Sequence, residues 1–153
     1  MTVLGLISDT HGLLRPEAAA ALEGVDAILH AGDVGRPDVL AALRAVAPVF
    51  AVRGNVDGGE LAALPLDTVA SVEGIDIYML HILRNIAIDP AAAGMAVVVS
   101  GHTHKPLIEE KDGVLYVNPG SAGPRRFALP VSVGFLRLAS GQRPEAWLKM
   151  LDV

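Results

Sequence analysis

The order of its segments constrains this chain most: a short apolar run rich in β-formers ends in a small polar cluster, a helical pattern follows, and the unit repeats. Residues 3–8, VLGLIS, run into Asp9-Thr10-His11-Gly12, after which RPEAAAALEG carries a helix signal with Pro16 suited to its first turn and Gly24 to its end. The second unit is VDAILHAGD (25–33) followed by RPDVLAALRAVA, where Pro37 opens the helix and Leu40, Leu43 and Val46 recur at helical spacing. A third run, PVFAVRGNVDGG (48–59), ends in a glycine-bounded polar turn. This βαβαβ opening predicts a sheet with helices outside it and, because more strands follow, a second β layer packed behind.

The later chain is mostly hairpins. TVASVEGIDIYMLH predicts one about Glu73-Gly74, its second strand finishing at His81, and DPAAAGM allows a short helix. AVVVSGHTH reads as a strand and loop. LIEEKDGVLYVNPGS predicts a hairpin about Asp112-Gly113, and VSVGFLRLASGQRPEAWLKML another about Ser140-Gly141. With 153 residues and no repeat, linker or low-complexity stretch, a single domain over 1–153 is expected.

Composition narrows the function classes. Apolar residues make up 52% of the chain, yet no run approaches the ~20 residues of a membrane span. The N-terminus lacks a basic segment and its apolar run breaks at Asp9, so a cytoplasmic location is expected and no membrane partner. The absence of cysteine excludes thiolate metal sites and a cysteine nucleophile. A net charge of -5 argues against general nucleic-acid binding while leaving a local basic pocket open.

In α/β sheets the working groups gather at the carboxyl ends of strands. Five predicted strand ends here carry metal-ligand chemistry: Asp9 and His11, Asp33, Asn55, His81, then His102 and His104. Seven such residues fit two divalent ions ~3.5–4 Å apart, which need a bridging ligand, several terminal ligands and open positions. Alternation sends neighbouring side chains to opposite sides, so Asp-x-His and His-x-His let both outer residues face one site. Gly12, Gly32, Gly54 and Gly101 allow sharp turns close to it. Two divalent ions are expected; manganese, iron, zinc, nickel and cobalt are all compatible with imidazole and carboxylate, and affinity order alone does not choose among them. Taken alone, an Asp-x-His is more often a cap or Asx-turn; the ordered set carries the argument. His30 reads as a buried, hydrogen-bonded partner behind the ligands, and Trp147 as core or subunit contact. An apolar C-terminal hairpin permits a homo-oligomer without requiring one.

The ordered set D-x-H, G-D, G-N-x-D, a strand-end H and G-H-T-H resembles the calcineurin-like metallophosphoesterase family, in particular its small single-domain prokaryotic phosphodiesterase branch. The resemblance runs from Val3 to about Ser121, and NPGS (118–121) also recurs in that branch. It implies an α/β fold, a four-layer αββα sandwich with the metal site at the carboxyl ends of the strands. It implies one metal held by Asp9, His11, Asp33 and His104 and a second by Asp33, Asn55, His81 and His102, with Asp33 as the bridge. It further implies a phosphodiesterase that hydrolyses small phosphodiesters through a hydroxide held between the metals. Asp33, Asn55 and Asp57 are the expected catalytic residues, with Asp57 orienting its neighbours. Asn55, Arg53, Arg84, Asn118 and Ser121 are the expected substrate contacts; Arg125 and Arg126 are further candidates that read equally well as solvated loop charges.

Two departures matter. Many phosphatases of the family place a histidine after the asparagine to protonate the leaving group, whereas Val56 stands here, which favours diesters or good leaving groups. His81 is followed by Ile82-Leu83 rather than glycine, making it the least typical ligand. A metallo-β-lactamase-type site is excluded by Pro106 at its aspartate position, and an amidohydrolase would place His-x-His first. The competing class is a non-catalytic metal-binding scaffold of the same fold, as in the retromer subunit that shares it; loss of ligand types would mark such a change, and none is lost.

Overall fold

The computed structural model describes residues 1–153. In chain order the elements are β1 (Thr2–Ile7), α1 (Pro16–Ala21), β2 (Ala27–His30), α2 (Pro37–Arg44), β3 (Val49–Ala51), β4 (Asp67–Val72), β5 (Ile75–Leu80), β6 (Val97–Val99), β7 (Leu107–Lys111), β8 (Val114–Asn118), β9 (Ser132–Leu138) and β10 (Glu145–Met150). Short 3-10 turns cover Gly59–Ala63 and Leu83–Asn85. Both helices begin at proline, whose fixed φ suits a first turn and whose missing N–H costs nothing there.

Two five-stranded sheets form, in the orders β10-β9-β1-β2-β3 and β4-β5-β6-β8-β7. Strands β1, β2 and β3 are mutually parallel, as are β5, β6 and β8, so each sheet gathers several carboxyl ends on one side. Alternation along β1 decides the layers: Leu4 and Leu6 pack between the sheets with Leu29 against Ile77, Met79, Val97 and Val99. Ile7 faces the other way, joining Ile28 under Leu22 and Leu43 from the helical side. The helix layer lies close enough that a Cβ on Gly5 would stand 2.6 Å from Leu22 Cδ2.

The layers follow the expected αββα order, with the fourth reduced. Tyr78, Leu80, Val98 and Val114 on the outer face of the second sheet are covered by Leu83, Ile86, Ile88 and Met95 from the segment between β5 and β6. The helix expected in DPAAAGM is replaced by consecutive turns, tied by Ala93 N–H to the Asp89 carbonyl and Met95 N–H to the Pro90 carbonyl at 2.9 Å each. Three alanines before Gly94 are too few to repay helix nucleation. Two hairpins turn where the sequence places them: Glu73-Gly74 and Asp112-Gly113 both have positive φ, the pattern of a tight two-residue turn. Trp147 of β10 stacks on Phe135 of β9, ring centroids 5.3 Å apart.

Candidate metal centre

The seven residues singled out by sequence all follow the carboxyl ends of parallel strands: Asp9 and His11 after β1, Asp33 after β2, Asn55 after β3, His81 after β5, His102 and His104 after β6. The first three strands belong to one sheet and the last two to the other, so the site lies where the two sheets face each other at one end. Asp9, His11, Asp33, His102 and His104 adopt left-handed backbone, with φ between 47° and 72°. This conformation costs non-glycine residues roughly 1–2 kcal/mol each, and it turns the chain abruptly so that alternate side chains point back over the strand ends.

Two clusters result. Asp9, His11 and His104 bring one potential ligand atom each within 4.8 Å of one another, and Asp33, His81 and His102 do the same. Asp33 joins the two, since its Oδ2 lies 3.2 Å from His81 Nε2 and 3.6 Å from His11 Nε2. Each carboxylate divides its oxygens in the same way. Asp9 Oδ2 accepts the Ser8 hydroxyl at 2.7 Å and the His102 backbone N–H at 3.0 Å, leaving Oδ1 toward the histidines. Asp33 Oδ1 accepts the Val56 N–H at 3.0 Å, leaving Oδ2 toward them.

The orphaned atoms test whether a metal fits. Asp9 Oδ1, His11 Nε2, His81 Nε2 and His104 Nδ1 are buried without a hydrogen-bond partner. Burying an unpaired polar atom costs about 1–3 kcal/mol, a standing deficit that cation coordination removes at Asp9 Oδ1 and at His11 Nε2 and His81 Nε2, each 3.8 Å from it, while His104 turns Nε2 toward Asp9 Oδ1 at 3.4 Å. His81 is already oriented for it: its Nδ1 lies 2.7 Å from the Ala31 carbonyl, so Nδ1 carries the proton and Nε2 keeps its lone pair. Asn55 Oδ1 stands 3.2 Å from His102 Nδ1. The donor set is all nitrogen and oxygen, which fits first-row divalent ions.

The electrostatics match a cation site. Burial alone would raise the Asp9 carboxyl, but the His104, His11 and His81 imidazoles, 3.4–3.8 Å from Oδ1, and the Ser8 hydroxyl outweigh it and hold Asp9 well below the usual range. Asp33 is likewise lowered: burial opposes, but His81 and the Val56 N–H prevail. His11 is raised by Asp9, against burial, and His81 is raised because Asp33 and Asp9 overcome its burial. His102 is lowered by burial and by His81.

The remaining expected residues fall into different places. Asp57 accepts the backbone N–H groups of Gly54 at 2.8 Å, Gly35 at 3.0 Å and Val34 at 3.2 Å. Its buried carboxylate therefore ties the loop after β2 to the loop after β3, the orienting role rather than contact with reacting atoms. Asn118 spends its amide on the Gly101 carbonyl, the Thr103 hydroxyl and the Gly120 N–H, and Ser121 donates to the Asp9 carbonyl at 3.0 Å. Both are buried and shape the ligand loops, and Asn118 also lines a cavity beside His102. Arg53 lines a cavity beside Asn55 and His81 while donating to the Ala62 carbonyl; Arg84 lines a second cavity beside His102. Arg125 donates to the Val153 carbonyl at the C-terminus, and the Arg126 charge is felt at His11.

His30 is fully buried, as its place in the sequence suggests. Its Nδ1 accepts the Gly32 N–H at 3.1 Å, so Nε2 carries the proton and donates at 3.0 Å to the Thr10 hydroxyl, which donates in turn to the Val34 carbonyl at 2.8 Å. Burial pushes His30 down to about 4, so this chain between the first two ligand loops is held by a neutral imidazole. Sequence reasoning missed Ser8 and Thr10; their signal was the polar run Ser8-Asp9-Thr10-His11, in which only the outer pair was read as chemistry.

The family model for the calcineurin-like phosphoesterase superfamily domain matches residues 1–141. A probable metallophosphoesterase of Methanothermobacter thermautotrophicus is 35% identical over 159 residues, 94% of this chain and 90% of the relative. A phosphodiesterase of Methanocaldococcus jannaschii is 31% identical over 137 residues, 76% of this chain and 82% of the relative. Among solved structures, vacuolar protein sorting 29 of Cryptosporidium parvum superposes with a TM-score of 0.79 at 19% identity, over 99% of this chain and 98% of that one, a likeness of fold. Matched along nearly its whole length, the chain belongs to the calcineurin-like phosphoesterase superfamily.

Proposed function

We propose that this chain is a dinuclear metal-dependent phosphodiesterase acting on small phosphodiesters, with residues 1–153 as one catalytic domain. The observation that carries the reading is the set of buried, unpartnered atoms Asp9 Oδ1, His11 Nε2 and His81 Nε2, with His104 Nε2 3.4 Å from Asp9 Oδ1, gathered at the ends of strands from both sheets. In this reading Asp9, His11, Asp33 and His104 hold one ion and Asp33, Asn55, His81 and His102 the other; manganese is the first candidate. Bound there, divalent ions supply Lewis acidity, which activates water and neutralises phosphoryl charge.

The chain's own groups do the rest. The Asn55 amide and the nearby Arg53 guanidinium orient the phosphoryl oxygens, Arg84 meets the substrate from the cavity beside His102, and Asp57 and His30 fix the loops that carry the ligands. Val56 follows Asn55 and is half exposed, so no imidazole stands there to donate a proton to a departing alkoxide. Diesters with acidic leaving groups suit such a site best. A phosphodiesterase among the relatives supports the same class. The alternative, a non-catalytic scaffold, finds support only in likeness of fold, and the full ligand set weighs against it.

The test is hydrolysis of bis-p-nitrophenyl phosphate and p-nitrophenyl phosphate by metal-stripped protein, with manganese, nickel, zinc or nothing added, beside Asp33→Ala. Metal-restored diester hydrolysis that is absent in the variant is expected. Folded protein inactive with every metal would remove the reading and favour the scaffold.

A further inference from the structure

Two cavities open on either side of the His81-His102 end of the site, and they differ in charge. The first, about 620 Å³, is reached by Asn55 and His81; the second, about 460 Å³, by His102; Ile82 lines both. The first holds two carboxylates, Asp67, which accepts the Tyr78 hydroxyl at 2.5 Å, and Asp57, which accepts backbone N–H groups, beside Arg53, which donates to the Ala62 carbonyl. In the second Arg84 and Lys105 stand with no carboxylate in the lining, and neither forms an ion pair or a side-chain hydrogen bond. Most cations of this chain are exposed and form no ion pair; here two of them line one cavity that holds no carboxylate. The Thr103 hydroxyl, which accepts from Lys105 N–H and Asn118, keeps its own proton to donate, and Tyr116 adds an aromatic wall.

We propose that the second cavity binds a further phosphate group carried on one arm of the substrate, with Arg84, Lys105 and Thr103 as its donors. This deepens the phosphodiesterase reading and rests on it. A diester held beside Asn55, His81 and His102 directs one ester arm into each cavity. The arm entering the first meets the carboxylates of Asp57 and Asp67, which disfavour a second negative charge. The arm entering the second meets two free cations, which gain most from a dianion that takes guanidinium and ammonium hydrogen bonds together. The substrate class is therefore an asymmetric phosphodiester, one arm neutral and the other bearing a second phosphate.

A pair of p-nitrophenyl esters of thymidine 5′-phosphate, identical except for a 3′-phosphate, tests this on the metal-loaded protein. The 3′-phosphorylated ester is expected to be preferred at least about ten-fold in kcat/KM, mainly through KM, since a charge-assisted contact is worth that much. The ratio should shrink in Lys105→Gln and approach one in Arg84→Gln/Lys105→Gln. Calorimetry supplies a readout independent of turnover: thymidine 3′,5′-bisphosphate should bind wild type at least about ten-fold tighter than thymidine 5′-phosphate, with the difference lost in the double variant. Equal hydrolysis of both esters, or a preference that survives in the double variant, overturns the cavity assignment and leaves the phosphodiesterase reading standing. Lysine-dependent binding of the bisphosphate with neither ester hydrolysed does the reverse.

Discussion

Gly54 leaves Asp33 no clearance: a Cβ placed on it would stand 2.1 Å from both the Asp33 backbone nitrogen and Oδ1. The loop after β3 thus presses its bare backbone against the carboxylate that joins the two ligand clusters. Gly54→Ala forces one of them to move, and because the contact is backbone and a hydrogen-bonded oxygen, neither yields easily. A loss of about 2 kcal/mol or more of stability is expected by denaturant unfolding, together with a ten-fold or greater loss of metal affinity by calorimetry. Unchanged metal affinity in a destabilised protein would show that Asp33 holds its place without this contact.

Asp57 serves the fold of the site more than its chemistry. Asp57→Ala leaves three backbone N–H groups without their acceptor, two in the loop after β2 and one beside Asn55. A stability loss of about 3 kcal/mol is expected from unfolding in urea. Asp57→Asn keeps one acceptor oxygen but turns an NH₂ toward backbone donors, so it should recover less than half of that loss. Full recovery by asparagine would mean that the three bonds matter less than their geometry implies.

His30 makes stability depend on pH with a definite sign. In the unfolded chain its imidazole protonates near 6.5, whereas burial holds the folded value at about 4. Its contribution is therefore complete above 6.5 and lost as pH falls from there to about 4, at about 1.4 kcal/mol per unit, or about 3 kcal/mol in all. His11 and His81, whose values are raised, act in the opposite sense in metal-free protein, so the comparison has to be a difference. The stability gap between metal-free wild type and His30→Gln should narrow steadily between pH 6.5 and 4. A constant gap contradicts a neutral, buried His30.

Metal and protons compete for the same nitrogens. Carboxylates raise His11 and His81 above the ordinary imidazole value in the metal-free protein, so a proton competes with a metal at both. Metal binding should then release protons, and affinity should fall as pH is lowered. Calorimetry in buffers of different ionisation enthalpy measures the release. Metal uptake with no proton exchange would place the ions elsewhere.

Much of this was legible in the sequence because the informative features are local. The βα units announce themselves through Pro16 and Pro37, the hairpins through Glu73-Gly74 and Asp112-Gly113, and the seven ligand-type residues through their position after apolar runs. What was not legible depends on pairing across long separations. Nothing in residues 132–138 says that β9 lies between β1 and β10, or in residues 114–118 that β8 lies between β6 and β7. The same applies to Asn118 and Ser121: turn residues by sequence, they are buried by strands arriving from elsewhere, and their polar atoms go to the ligand loops. The pairing of Lys105 with Arg84 in one cavity likewise exists only after the loops following β5 and β6 meet.

The central claim is that two ions act together at this site. The most direct measurement titrates metal-stripped protein with manganese while following bis-p-nitrophenyl phosphate hydrolysis and bound metal in parallel. The account predicts saturation at about two ions per chain, with activity rising mainly as the second is taken up, and loss of that second uptake in Asp33→Ala. Full activity at one ion per chain, or folded protein that takes up none, would contradict it.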